Sequence, residues 1–458
     1  MAGDVMDQLS VLGDVLEQES GLPLRPPSAD PCVVPVEALH GIDDLTVDYL
    51  RQSGEAETPT ESTSRSGLVA AVAATVLVVV GVIAVAGGDS DEFVTESSGI
   101  VEGAALTGDV GFEAVGAMTA GGPGLVAVGS SVNDAAVSTS VDGITWTRVP
   151  HDEAIFGNAR MTGVVAAGPG LVAVGAAGPG GSENAAVWTS IDGRTWTRVP
   201  HDEAVFGGDS RQGMTSVTTG GPGLVAVGSD QSGNDEDAAV WTSVDGITWA
   251  RAPDDETVFG GADRQQMASV TAAGPGVVAV GHDEGRAVVW VSEDGITWIR
   301  APIDPSMSDQ WSMNSVTAGG PGVVAVGHDG DFGRGDAGVW TSEDGITWTR
   351  APLPAVSGEW SMNSVTAGGP GLVAVGSSYE YEENRTGAPV WISSDGITWT
   401  RIPYDDAALG GDTGPTIATV TAGGPGLVAL GLDWSNSAAV WTSVDGITWT
   451  RVPRDSAG

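Results

Sequence analysis

Short apolar runs broken by turn residues fill the C-terminal three-quarters of the chain, and residues 214–253 show the pattern most clearly. Met214–Thr219 alternates apolar and polar positions, as a half-buried strand does. Gly220-Gly221-Pro222-Gly223 is turn chemistry, and Leu224–Gly228 is a short apolar strand. Ala238–Ser243 carries Val240 and Trp241, residue types that suit a pleated surface. Asp245-Gly246 predicts a two-residue type I′ hairpin, whose central residues both need positive φ. Thr248–Ala252 makes a fourth strand, and Pro253 ends it.

This unit recurs. A cassette close to S-x-D-G-x-T-W-x-R-x-P appears seven times, at Asp142, Asp192, Asp245, Asp294, Asp344, Asp395 and Asp445, with spacings of 50, 53, 49, 50, 51 and 50 residues. A second constant block precedes each copy, such as AGGPGLVAVG at 120–129. Four short strands in about 50 residues make one propeller blade, whose two faces are buried by its neighbours. The expected fold is therefore an all-β, seven-bladed β-propeller over 115–454, with 455–458 as a tail. A solenoid of stacked sheets is the alternative.

Upstream the pattern changes. Residues 67–88 carry no charge and match the length a helix needs to cross a bilayer core of about 30 Å. Arg65 precedes this run, and Asp89, Asp91 and Glu92 follow it, which favours a cytoplasmic N-terminus. The expectation is one transmembrane helix in the cell membrane, with the propeller outside the cytoplasm. Ala84-Val85-Ala86 resembles a signal-cleavage site, yet the 66 residues before the run are too long and too acidic for the n-region of a signal peptide. Within 1–66, Val5, Leu9, Leu12 and Leu16 have helical spacing, while prolines and the polar stretch 55–66 read as a disordered tether. Residues 89–114 read as an acidic linker.

Composition narrows the partners. The chain has 60 acidic and 18 basic residues, every basic one an Arg, for a net charge of −42. Such a surface repels phosphate backbones, so no nucleic acid is expected. Cys32 is the only cysteine, so the propeller stands on packing without a disulfide. No cofactor is expected and no zinc-type spacing occurs. Calcium has one weak candidate, Asp329, Asp331 and Asp336, near the paired His282-Asp283 and His328-Asp329.

The cassette resembles the Asp-box, or BNR repeat, of sialidase-like propellers, which reads S-x-D-x-G-x-T-W; here one residue fewer separates Asp from Gly. The resemblance covers the seven hairpins and, less specifically, 115–453. It implies a propeller in which the seven box aspartates are structural and far from the active face.

A residue present in every blade is there because every blade needs it. The repeated Trp146, Trp196 and Trp249 and the repeated Arg148, Arg198 and Arg251 thus read as scaffold. Variation falls on the second turns (229–237, 282–286, 328–337, 377–389, 432–437) and the inter-blade links, which share one face of an up-and-down propeller. Candidate ligand contacts on that face are Tyr379, Tyr381 and Arg385 in the longest second turn, with Arg334, Arg286, Trp311, Trp360 and Trp434. Because Trp311 and Trp360 recur in a W-S-M-N-S link, loop anchoring competes with ligand contact. A catalytic sialidase needs three arginines, a Tyr beside a Glu, and an Asp acid/base. Arg286, Arg334 and Arg385 lie in second turns away from the axis, where such groups do not converge. The expected function is a non-catalytic recognition or scaffold module for protein or glycan, and the alternative is a divergent sialidase-like glycoside hydrolase.

Overall fold

The computed structural model describes residues 105–107 and 110–454, apart from 169, 180–181, 209–210, 233–234, 262–263, 284, 303–310, 330–334, 355–357, 381–384, 404, 411–413 and 434–436. The apolar run 67–88 lies outside these residues. Among the described residues no helix is long and apolar enough to cross a membrane.

Seven antiparallel sheets form a seven-bladed β-propeller. In blade 3 the strands Gln212–Gly220, Gly223–Ser232, Asp235–Ser243 and Trp249–Arg251 pair in sequence order. The first strand of each blade packs against those of both neighbours, and that of blade 7 (Thr416–Gly423) against that of blade 1 (Ala114–Gly121). The first strands therefore encircle the axis. In blade 6 the third strand is split into Arg385–Gly387 and Val390–Ser393. Pro389, which lacks an N–H to donate, sits at the break.

Turn chemistry explains the constant blocks. Gly220 pairs with Gly223 across Gly221-Pro222. Gly221 has φ +54 and Pro fixes a negative φ, the order of a type II′ hairpin. The type I′ turn expected at Asp245-Gly246 is not what forms. Ser243 pairs with Trp249, leaving a five-residue loop in which Gly246 has positive φ (+78) and Asp245 does not. The aspartate holds the loop with its side chain instead. Oδ1 accepts from the N–H groups of Ile247 (2.8 Å) and Thr248 (2.7 Å), and Trp249 Nε1 donates to the Gly246 carbonyl (3.0 Å). The same aspartate and tryptophan bonds occur in all seven loops, from Asp142 to Asp445.

Six of the seven interfaces between blades each hold one apolar wedge from the segment entering the next blade. These are Phe156, Phe206, Phe259, Trp311, Trp360 and Leu409, all buried. In blades 2, 3, 4 and 7 the third-strand tryptophan donates Nε1 to a carbonyl of that segment, as Trp188 does to Ile155 (2.8 Å). The cassette arginine covers the same ring, with Arg198 5.8 Å from Trp188.

The closing interface, between blades 7 and 1, has no such link, and Ser138 stands in blade 1 where the other blades have tryptophan. Val110 and Phe112 fill it from the N-terminal side. Ser138 Oγ donates to the Val110 carbonyl (2.7 Å), and Arg148 covers the Phe112 ring at 5.5 Å. Just upstream, within the stretch read as linker, Ala105–Thr107 adds a fifth strand to blade 1 by pairing with Thr145–Arg148.

Candidate functional site

At the end of the ring that carries the second turns and links, three arginines line one cavity of 430 Å³: Arg160, Arg211 and Arg264. Each lies within three residues of the methionine near the start of an inner strand, namely Met161, Met214 and Met267. Those methionines are at most 1% exposed and immediately precede a β-bulge. Facing that bulge, Gly228 abuts the Gly213 carbonyl so closely that a Cβ there would collide with it. The buried methionine fixes the strand, and the residues around it project at the axial mouth of blades 2, 3 and 4.

Polar groups complete the wall. Thr162 and Thr215 donate through Oγ1 to the carbonyls of Met214 and Met267 in the next blade, each at 2.6 Å. Ser229 Oγ donates to Glu236 Oε1 (2.7 Å). Behind them Glu183 Oε2 accepts from Arg211 Nε (2.9 Å) and Nη2 (2.8 Å) and pairs with Arg160 Nη1. Burial works to raise the Glu183 carboxyl, but the hydrogen bonds and charges of Arg160 and Arg211 outweigh it and hold the pKa below the usual range. Arg160 reaches across to blade 3, its Nη2 3.6 Å from where a Cβ of Gly213 would be. Arg264 is exposed and has no carboxylate within salt-bridge distance among the described residues. Along the same rim His282 and His328 sit at equivalent positions of blades 4 and 5, facing Gln266 and Ser312 across their strands. Burial pushes both imidazoles below their ordinary pKa. Glu236 and Asp283 oppose that for His282, while His282 adds to it for His328.

The sequence-predicted residues are placed elsewhere. Tyr379 lines a second cavity of 470 Å³ at blades 6 and 7, with Glu359, Ser361, Thr416 and Asp433. Tyr379 pairs with Thr386, and Glu380 with Arg385, so the longest second turn is an extended β-hairpin. Arg286 is exposed at the start of a third strand. Tyr381, Arg334 and Trp434 lie outside the described residues, as does Asp331 of the calcium candidate. Asp329 of that candidate faces Arg350 at 3.2 Å. Trp311 and Trp360 are 8% and 1% exposed and pack on Trp340 and Trp391 with centroids 5.4 and 6.0 Å apart, beneath Arg350 and Arg401. Their place is in the wedges, as anchors.

Sequence reasoning missed the arginine cavity. The available signal was that Arg160, Arg211 and Arg264 fall outside the cassette, each within three residues before a repeated methionine.

Fold and site together define a propeller with an arginine-lined axial mouth. No family model and no curated protein matches the sequence. Among solved structures, virginiamycin B lyase from Staphylococcus aureus is similar at 12% identity, over 73% of this chain and 97% of that one, with a TM-score of 0.42. An α-L-arabinofuranosidase from Fusarium graminearum is similar at 13% identity, over 76% and 98%, with a TM-score of 0.38. A protein from Lactobacillus plantarum is similar at 13% identity, over 59% and 77%, also with a TM-score of 0.38. At such identities a likeness concerns the fold alone.

Proposed function

We propose that this chain is a membrane-anchored, extracytoplasmic recognition module whose propeller binds a carboxylate-bearing glycan or peptide at the cavity of Arg160, Arg211 and Arg264. The observation that carries the reading is the gathering of three arginines in one cavity of a chain with 60 acidic and 18 basic residues. Arginine presents a planar fork of donors that matches a carboxylate. The apolar run 67–88 supports the anchoring, and the resemblance to Asp-box propellers supports glycan among the ligand classes. Recognition is favoured over hydrolysis because Tyr379 and Glu359 share a cavity that the three arginines do not line, and catalytic groups must converge.

Charge selectivity tests it. The full chain in detergent is screened against acidic glycans and peptides and against their neutral amide or methyl-ester forms. The acidic members should bind and their neutral forms should not. The double variant Arg211→Ala/Arg264→Ala should bind the same ligands at least about tenfold more weakly, in line with losing charged hydrogen bonds. Equal binding of acidic and neutral forms would refute the proposal.

A further inference from the structure

The boundary between blades 1 and 2 carries a cluster that the arginine cavity does not use. Asp134 begins the third strand of blade 1, His151 lies in the link, and Glu153 opens the one-turn helix Glu153–Phe156. One ligand atom from each lies within 4.8 Å of the others. His151 Nε2 is 3.2 Å from Glu153 Oε2 and 3.8 Å from Asp134 Oδ2. Ligand bonds of about 2.0–2.2 Å to one ion set neighbouring donor atoms roughly 3.0–3.5 Å apart, a spacing that His151 and Glu153 already have and that Asp134 reaches by moving inward.

We propose that Asp134, His151 and Glu153 bind a first-row divalent transition ion, represented by Zn2+. One imidazole with two carboxylates is a mixed nitrogen and oxygen set; it suits zinc or nickel better than calcium or magnesium, which take oxygen alone. The three donors come from different positions of the chain, and water completes the shell because His151 and Glu153 are exposed. Asp134 Oδ1 accepts from the Asn158 N–H (3.0 Å) while Oδ2 faces the imidazole. The His151 ring leans on Phe156, centroids 6.4 Å apart. An ion here ties the third strand of blade 1 to the link that wedges blade 2.

Blade 2 supplies the internal comparison. Its His201 and Glu203 stand 2.9 Å apart beside Phe206 in the same arrangement. At the place of Asp134 it has Asn184, and at the place of Asn158 it has Gly208. Blades 1 and 2 share the histidine and glutamate, and of these two only blade 1 has the third donor.

The untagged full chain, stripped with chelator, is titrated with zinc chloride by calorimetry. Asp134→Asn should weaken the blade 1 site at least tenfold while the metal-free melting temperature stays in place. Asn184→Asp should add a second site, a gain that misfolding cannot imitate. A zinc isotherm unchanged by Asp134→Asn, or a blade 2 variant that gains no site, overturns the proposal.

Discussion

Asp294, Asp344 and Asp395 show what one side chain does for a hairpin. Backbone N–H groups two and three residues ahead, with Thr297, Thr347 and Thr398 the largest contributors, hold their carboxyls at about 2 against an ordinary 3.8. In between, the unfolded chain binds more protons than the folded one, so stability falls as pH drops from about 4 towards 2. His282 and His328 act earlier. Burial holds them below 6.5, so the unfolded chain protonates them first and stability begins to fall below about pH 6.5. A series of denaturant midpoints against pH should show both declines. His282→Gln/His328→Gln should remove the upper one and leave the lower. The scaffold tryptophans are a second residue-scale test. Trp249 is 6% exposed, and Trp249→Ala should cost about 3–5 kcal/mol in urea unfolding.

At the scale of elements, the strands were legible because turn chemistry brackets them. Gly-Pro and Asp-Gly mark the ends of Gly223–Ser232 and Asp235–Ser243 whatever the packing does. The wedges were less legible. Phe206 stands eight residues before Met214 and Trp311 two before Met313, so spacing separates residues that packing makes equivalent. Phe112 was less visible still, because its role depends on the tryptophan that Ser138 replaces. The arginine cavity was hidden for a related reason: its members are neighbours only once blades 2, 3 and 4 stand side by side. If Val110 and Phe112 close the ring, Phe112→Ala should destabilise the propeller by about 3–5 kcal/mol, as much as Phe206→Ala at an interior interface. Hydrogen exchange should then quicken first in the strands flanking the closing interface, Gly124–Ser131 and Gly426–Leu432. Exchange that quickens evenly around the ring would contradict the latch.

For the whole molecule, the two faces of the propeller divide the work. One carries the invariant hairpins, whose aspartates are occupied by their own backbone and whose tips expose Val141, Ile191, Val244 and Val444. The other carries the second turns, the links and the arginine cavity. Cys32, the only thiol, lies on the N-terminal side of the apolar run 67–88. In the proposed topology an impermeant maleimide should label it only after the cells are opened, and labelling of intact cells would reverse the orientation. The central claim is that binding belongs to the variable face, and a paired affinity measurement tests it most directly. An acidic ligand from the screen is titrated against Arg211→Ala/Arg264→Ala on one face and Val244→Ser/Ile247→Thr on the other. The account predicts at least a tenfold loss for the arginine pair and an unchanged affinity for the hairpin pair; the reverse pattern would contradict it.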